Sequence, residues 1–406
     1  MKLDHTEGAI VIGAGLSGLV AARELRERGI PVTILEASYR VAAPWRARHP
    51  QLRLNIHRHF ARLPGRQKIR DRETYLPKAS VIEYLSDYAD ALDVPIHFET
   101  RVQAVRREGD VWHVQTDKGA YRCAHLIVAT GRERVKTLPV WPGMEEFGSP
   151  LIHSAYFADP RDYDGKKVLV IGAGNSGTDI LNHLSRSAPK QVWVSVRHGP
   201  AILPSRILGF PLHRLANVFA RLPKRSQDPI FAIMQRAFFG DLRRYGLKRH
   251  AMGGGTRMLK HGVTFALDDG FVAALKAGRF EAVEETVGFE PGVAQLSDGR
   301  KIRPDVVICA TGYRPGLEEV FGHLGALDDK GYPLHPMGQE DGKNPGLWFT
   351  GYGVIFQGFF YAAGVSANRI ATKIATRMSP STRVQTTRRQ SLGGRSRTFS
   401  MDEVEQ

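Results

Sequence analysis

Two glycine-rich turns constrain the fold of this chain more than any other feature. They are Gly13-Ala14-Gly15-Leu16-Ser17-Gly18 and Gly172-Ala173-Gly174-Asn175-Ser176-Gly177, and each lies between an apolar run and a helical pattern. In a G-x-G-x-x-G turn the first glycine allows the tight bend, the second lets the backbone approach a pyrophosphate, and the third lets the helix pack closely on the strand. The sequence therefore predicts an α/β fold with two Rossmann-like, doubly wound domains that each bind a dinucleotide.

The residue that ends the next strand differs between the two units. Glu36 follows the predicted strand Pro31 to Leu35, about 20 residues after the first turn, where an acid accepts hydrogen bonds from a ribose 2′-hydroxyl. The strand after the second turn, Gln191 to Val196, ends in Arg197 and His198 instead. Because a guanidinium grips a 2′-phosphate that a carboxylate would repel, we expect FAD or NAD in the first unit and NADPH in the second. A bound flavin and a bound nicotinamide can pass hydride between them.

Length and composition favour a globular cytoplasmic protein with two domains. The chain has 406 residues, 42% hydrophobic and 24% charged, which is enough for two cores. Its two cysteines, Cys123 and Cys309, are far apart, and no metal-ligand or C-x-x-C spacing occurs. The polar first residues do not resemble a signal peptide, and no apolar run is long enough to span a membrane.

The net charge of +16 raises the question of an anionic partner. Residues 46–72 contain nine Arg and Lys against one acid, but no nucleic-acid-binding motif accompanies them. We interpret the basicity as serving an anionic cofactor or substrate, with no nucleic acid as partner. The apolar and basic segment Ile207 to Gly240 predicts short amphipathic helices. We interpret it as an insert that covers a substrate channel, and leave open a peripheral membrane contact.

Two hairpin-like stretches each run into an apolar strand that ends in Ala-Thr-Gly, at 125–131 and 305–312. Such strands return the chain to each nucleotide domain. We therefore predict a first part of the first domain at 1–155, a second domain at 156–304 with a helical insert near 201–260, and the rest of the first domain at 305–377. Residues 378–406, rich in Ser, Thr and Arg, are predicted to be a disordered tail.

With these motifs the chain resembles the class B flavin-containing monooxygenases, and most closely bacterial relatives of the plant YUCCA group. The family's F-x-G-x-x-x-H-x-x-x-[YF] motif corresponds to Phe147 to Phe157 and includes His153, although Gly148 stands one place before the expected glycine, at Ser149. The family's Gly-Gly-x-Trp is replaced by Ala42-Ala43-Pro44-Trp45. Phe157-Ala158 stands where Baeyer–Villiger relatives have Trp-Pro, which argues against that subgroup.

The resemblance implies an oxidoreductase with FAD and NADPH that transfers one oxygen atom from O₂ to a small organic substrate through a C4a-hydroperoxyflavin. It implies that Asn55 lies beside the reactive edge of the flavin as the catalytic residue, with Arg58 at a basic position of the same motif. The predicted cofactor-binding residues are Gly13, Gly15, Ser17, Gly18, Glu36, Trp45, Val102, Thr130, Gly172, Gly174, Asn175, Ser176, Gly177, Arg197 and Thr311.

The reaction and the assembly remain open at this point. The substrate is either a nitrogen or sulfur nucleophile, or a 2-oxo acid that loses CO₂. An uncoupled NADPH oxidase that releases H₂O₂ and an inactive flavin-binding module are the alternatives, whereas a disulfide reductase is disfavoured because no redox cysteine pair follows the first turn. A homodimer is left open.

Overall fold

Two parallel five-stranded sheets form the framework of the chain. The computed structural model describes residues 4–5, 8–65 and 69–378. In each sheet the strand before a glycine turn is central, with the following strand on one side and an Ala-Thr-Gly strand on the other. The two predicted Rossmann-like units are thus present, and they share one strand arrangement.

The first sheet is parallel throughout, in the order Leu347–Phe349, His125–Val128, Ala9–Ile12, Val32–Leu35, Ile96–His97. Its strands are short and apolar, as expected where helices cover both faces of a parallel sheet. The helix Leu16–Glu27, which opens at the first glycine turn, packs against the long helix Phe359–Arg377. Their facing apolar residues build the largest hydrophobic cluster of the chain.

The second sheet is also parallel, in the order Leu151–His153, Val306–Cys309, Lys167–Ile171, Gln191–Ser195, Phe280–Val283. Our predicted domain limits differ from this pairing at two points. We placed Leu151–His153 and Val306–Cys309 in the first domain, but both strands pair within the second sheet. The reason is that each enters the second sheet from a crossover segment, and hydrophobicity alone does not say which sheet an apolar strand joins.

Antiparallel strands flank both sheets. The two predicted hairpins are three-stranded meanders whose strands are Val102–Glu108, Val111–Thr116 and Gly119–Cys123 in the first, and Thr286–Glu290, Val293–Leu296 and Lys301–Ile302 in the second. Asp4–His5 adds a parallel strand to the first meander. Val135–Lys136 pairs with Tyr313–Arg314, so the two crossover segments are joined by backbone hydrogen bonds.

Short elements form the predicted insert. Its strands are Ile202–Pro204, Arg206–Ile207, Phe210–Pro211 and Ala266–Asp268, and its helices are Ala216–Arg221, Lys224–Phe239 and Gly254–His261. The remaining α-helices are Ala43–Arg46, Lys78–Asp90, Asn175–Leu184, Phe271–Lys276 and Glu318–Phe321. Short 3₁₀ helices occur at Arg58–Ala61, Ser154–Tyr156, Pro160–Tyr163, Leu212–Leu215, Leu242–Tyr245 and Gly322–Leu324.

Among the described residues, no helix is both long enough and apolar enough to cross a bilayer. The predicted disordered tail lies outside the described residues, apart from Met378.

Candidate active site

One cleft of about 1590 Å³ is lined by both glycine turns and by residues that follow the central strands of both sheets. The carboxyl ends of parallel strands are where open α/β sheets bind their ligands. Of the predicted site residues, all but Gly18 and Gly177 line this cleft. A single cavity therefore brings the two predicted dinucleotide sites together.

The three glycines of the first turn have different surroundings. Gly13 has φ +107°, and a Cβ there would lie 2.8 Å from the carbonyl oxygen of Ala129. Gly15, by contrast, has ordinary extended geometry and open space in the direction of a Cβ. A Cβ at Gly18 would overlap the carbonyl oxygen of Gly13. The first and third glycines are thus needed by the fold, whereas the second leaves room for a ligand.

The second turn repeats this pattern. Gly172 has φ +97°, with a Cβ 2.7 Å from the carbonyl oxygen of Ala310, and a Cβ at Gly177 would overlap the carbonyl oxygen of Gly172. Gly174 faces open space. Each space lies at the N-terminus of a helix, where backbone N–H groups and the helix dipole favour an anion. Both cradles fit the pyrophosphate of a dinucleotide.

Glu36 is buried at the end of its strand. Its carboxylate accepts hydrogen bonds from the backbone N–H of Ala14 (2.6 Å) and of Ser38 (2.8 Å). These bonds fix the carboxylate at the rim of the first turn, where it lines the cleft. This geometry fits an acid that accepts hydrogen bonds from a ribose.

Arg197 lies at the corresponding position of the second unit and is three-quarters exposed. Its Nε lies 3.5 Å from Glu285, a weak pairing that leaves the guanidinium free to turn toward a ligand. His198 contacts His250 edge to face at 5.0 Å. Arg257, whose pKa is lowered by burial, also lines the cleft and has no acidic partner among the described residues. The sequence did not single out His250 and Arg257, because they come from the insert, about 50 residues further along the chain.

Asn55 is exposed on the wall of the cleft. Its neighbours Leu54 and Ile56 are buried, and the Leu54 N–H donates to the Leu76 carbonyl at 2.8 Å. The backbone is therefore held firmly, whereas the Asn55 amide makes no hydrogen bond with another described residue and is available to a ligand.

The remaining predicted residues differ in how their side chains are used. The Thr130 hydroxyl lies 2.9 Å from the hydroxyl of Tyr352, and the Thr311 hydroxyl donates to the carbonyl of Thr137. The Asn175 amide donates to the Thr264 hydroxyl. These contacts make the three side chains structural ties at the cleft as well as lining residues. Trp45, Val102, Ser17 and Ser176 line the cleft.

Ala42 adopts the left-handed conformation, with φ +58° and ψ +29°. Its N–H donates to the Ala14 carbonyl, and its own carbonyl accepts from Trp45 and Arg46. This position belongs to the Gly-Gly of the family motif, and the chain accepts the strain of a left-handed alanine there. Gly148 has φ +77°, so the displaced glycine of the other motif also occupies a left-handed position.

The family motif from Phe147 to Phe157 contains the first strand of the second sheet, Leu151–His153. The Nε2–H of His153 donates to the Gly312 carbonyl at 3.0 Å, and its Nδ1 accepts from the Ala155 N–H at 3.1 Å. Burial lowers the pKa of His153, which keeps the ring neutral. The motif histidine therefore anchors the Ala-Thr-Gly turn of the second sheet.

Phe157, the last residue of that motif, packs against a buried polar contact between the domains. His49 Nε2 lies 3.0 Å from a carboxylate oxygen of Asp179, and His183 lies 3.7 Å from the other oxygen. The Phe157 ring contacts both imidazoles, at 5.7 and 6.1 Å. The sequence did not predict this contact. His49 lies in a basic segment, Asp179 and His183 lie on the helix Asn175–Leu184, and no local pattern relates the two segments.

Arg48 is a further residue that the sequence did not single out. Its guanidinium lies 3.6 Å from the centre of the Tyr313 ring and donates to the carboxylate of Glu133 at 3.1 Å. Burial lowers its pKa, and Glu133 opposes that shift. Arg48 thus connects the Ala-Thr-Gly-Tyr turn to the segment that follows the helix Ala43–Arg46.

The cysteines take no part in this cleft. Burial raises the pKa of both thiols, Cys123 and Cys309, to about 12. Both lie within sheet strands, remote from each other in the fold. Dithiol chemistry is thereby excluded for the described residues.

The fold and the cleft together define a flavoprotein class with two dinucleotide-binding domains. The family model described as pyridine nucleotide-disulphide oxidoreductase matches residues 10–202. A flavin-containing monooxygenase from Stenotrophomonas maltophilia superposes with a TM-score of 0.68 and 25% identity, covering 92% of this chain and 99% of that one. An open cyclohexanone monooxygenase shares the fold, with a TM-score of 0.66 and 19% identity over 92% of this chain and 88% of that one.

Sequence relatives narrow this class. A probable indole-3-pyruvate monooxygenase of Arabidopsis thaliana, YUCCA7, is 31% identical over 403 residues, which covers 93% of this chain and 90% of the relative. An indole-3-pyruvate monooxygenase of Oryza sativa subsp. japonica, YUCCA1, is 32% identical over 79% of this chain and 80% of the relative. The chain belongs to the YUCCA family of flavin monooxygenases. It is a flavin-dependent oxidoreductase that works with FAD and NADPH, which confirms the expected class and cofactors.

Proposed function

We propose that this enzyme catalyses the oxidative decarboxylation of a 2-oxo acid: RCOCOO⁻ + O₂ + NADPH + H⁺ → RCOO⁻ + CO₂ + NADP⁺ + H₂O. The observation that carries the proposal is the single cleft, because both glycine turns and Asn55 line it. The relatives whose names include indole-3-pyruvate support a 2-oxo acid over an amine or sulfide.

We assign the first turn, with Glu36, to FAD and the second turn, with Arg197, to NADPH. The Glu36 carboxylate is already held by two backbone N–H groups, so it is oriented before the ribose arrives. Arg197 would bond the 2′-phosphate in place of its weak pairing with Glu285. Arg257 lines the same cleft and adds positive potential. His250 also lines it, but burial and the neighbouring Arg257 lower its pKa, so it offers a neutral ring.

When bound and reduced by NADPH, FAD supplies the activated oxygen. The residues of the chain have to orient the substrate and exclude water. Buried Leu54, Ile56 and Phe360 provide an apolar wall of the cleft. The amide of Asn55, whose backbone neighbour Leu54 is tied to Leu76, offers a hydrogen-bond donor beside this wall. Arg53, which also lines the cleft, is half-exposed and paired with Glu73. In our proposal it receives the substrate carboxylate.

A substrate panel tests this function. The purified enzyme is given NADPH, O₂ and either an aryl 2-oxo acid or a neutral thioether, and NADPH, CO₂, organic product and H₂O₂ are measured together. The proposal requires one CO₂ and one carboxylic acid for each NADPH oxidised with the 2-oxo acid. Oxygenation of the thioether alone would contradict the substrate, and H₂O₂ as the only product would indicate an uncoupled oxidase.

Arg53→Gln examines the substrate carboxylate separately. We expect a higher KM for the 2-oxo acid, with kcat nearly unchanged and no effect on NADPH affinity. Arg70→Gln is the matched control, because Arg70 is an exposed, ion-paired arginine outside the cleft. Equal effects of the two variants would remove Arg53 from the substrate site.

A further inference from the structure

The insert carries most of the net positive charge of the chain. Residues 201–261 contain 12 Arg and Lys against two acids, a net charge of +10 out of +16. Both acids are engaged within the insert: Asp228 accepts from the Thr256 N–H at 2.9 Å, and Asp241 accepts from Arg243 at 2.7 and 2.8 Å. Lys248 pairs with Glu284 outside the insert, and Arg257 lines the cleft. Most of the other basic side chains are exposed, so the insert has a cationic surface.

A hairpin in this insert ends in an exposed apolar tip. Arg206–Ile207 pairs with Phe210–Pro211, and the two residues between them, Leu208 and Gly209, both have positive φ, at 47° and 82°. Leu208 is fully exposed and Phe210 is 47% exposed. Such two-residue turns favour Asn or Gly, because a leucine in the left-handed conformation is strained. A strained and exposed leucine at a hairpin tip points to a contact outside the chain.

The neighbouring helices repeat this combination of apolar and basic side chains. Val218 is 56% exposed and lies one helical turn from Arg214 and Arg221. Ile233 is 68% exposed and has exposed Arg236 beside it. On their inner sides Ile207, Phe219 and Met234 share one small hydrophobic cluster, so the hairpin and both helices are parts of one unit.

We propose that this unit is a docking surface for an anionic lipid bilayer, with Leu208 and Phe210 at the acyl boundary and the surrounding arginines at the headgroups. Charge complementarity selects this partner. A second copy of the insert would bring two surfaces of the same sign together. The several exposed aliphatic side chains, Leu208, Val218 and Ile233, favour acyl chains over a nucleic acid as the anionic partner. The surface lies outside the reaction described above and does not depend on it.

The position of the hairpin relates the bilayer to the cleft. Ser205, immediately before the hairpin, lines the cleft, and its carbonyl accepts a hydrogen bond of 2.6 Å from the Tyr75 hydroxyl. The guanidinium of Arg206 lies 5.8 Å from the Tyr75 ring. Docking of the tip would therefore hold one side of the cleft close to the lipid surface.

Liposome co-sedimentation of the full-length holoenzyme tests the proposal. Vesicles of phosphatidylcholine are compared with vesicles that contain about one-third phosphatidylglycerol. We expect binding to the anionic vesicles and little binding to the neutral ones. The double variant Leu208→Glu/Phe210→Glu should bind the anionic vesicles at least about tenfold more weakly, because it loses two apolar anchors and gains two repelling charges.

Val140→Glu is the matched control, because Val140 is 93% exposed but lies outside the insert. It should bind vesicles as the unchanged enzyme does, and all variants should retain flavin and NADPH oxidation. Equal vesicle binding by the double variant and the unchanged enzyme would overturn the proposal. The proposal would also be overturned if the unchanged enzyme bound no vesicles and the double variant instead lost a concentration-dependent dimer or DNA binding.

Discussion

Exchanging the middle glycine of each turn for valine tests which cofactor each domain binds. Gly15 and Gly174 are equivalent: both precede a helix, both have negative φ in the extended region, and neither has an atom within 4 Å of a Cβ position. Valine is therefore tolerated by the fold at either position. Its side chain would occupy the space that each turn keeps for a pyrophosphate.

The expected loss of affinity is large. If the added side chain prevents even two charge-assisted bonds from backbone N–H groups, at about 1.5–3 kcal/mol each, affinity falls by at least about 10²-fold. Gly15→Val should yield a folded, colourless protein. Gly174→Val should remain yellow, but its flavin should be reduced by NADPH only at much higher NADPH concentrations.

Flavin absorbance of the purified variants and anaerobic titration with NADPH measure the two effects independently. Gly18→Ala serves as the contrast, because its Cβ would overlap the Gly13 carbonyl and it should lower thermal stability as well as flavin content. Loss of flavin from Gly174→Val with retention in Gly15→Val would reverse the assignment. Unfolding of both valine variants would refute the inference that these spaces belong to ligands.

Four further changes have defined outcomes. Arg197→Ala should weaken NADPH by about ten- to hundredfold with little change for NADH, since it removes one charge-assisted bond to phosphate; equal losses in a kinetic comparison would make Arg197 structural. Asn55→Ala should leave flavin reduction intact and lower product formation about 10²-fold or more, with the electrons recovered as H₂O₂; slowed reduction in stopped-flow absorbance would contradict this. Burial lowers the pKa of His213 to about 4, so its contribution to stability is complete above about pH 6.5 and is lost as the pH falls toward 4. The free energy of unfolding in urea should therefore depend less on pH in His213→Gln across this range. The same pH dependence in the variant would show that His213 is not the titrating group. Ala42→Gly should be less destabilising than Ala43→Gly by about 1–2 kcal/mol, because only Ala42 carries the cost of a left-handed backbone conformation. Equal unfolding midpoints of the two variants would refute the inferred strain at Ala42.

The local features of the fold could be predicted from the sequence, whereas several contacts between its parts could not. The strand, turn and helix around Gly13 and Gly172 follow from short-range rules, and the structure has them. We assigned Val306–Cys309 to the first domain, whereas it pairs within the second sheet. A buried apolar strand has the same sequence pattern in either sheet, so the sequence does not say which one it joins. His49 and Asp179 meet across 130 residues of chain, and no local periodicity reports such a distance.

Two residues of the motif from Phe147 to Phe157 have identifiable structural roles. Two dinucleotide domains on one chain are useful only if their ligands meet, which requires a fixed relation between the two sheets. His153 fastens the start of the second sheet to the Gly312 carbonyl, and Phe157 fills the space beside the His49–Asp179 contact that joins the domains. An aromatic ring in this place packs against both imidazoles without needing a hydrogen-bond partner. His153 thus stabilises the second sheet and Phe157 supports the contact between the domains, whereas Ser154 of the same motif lines the cleft.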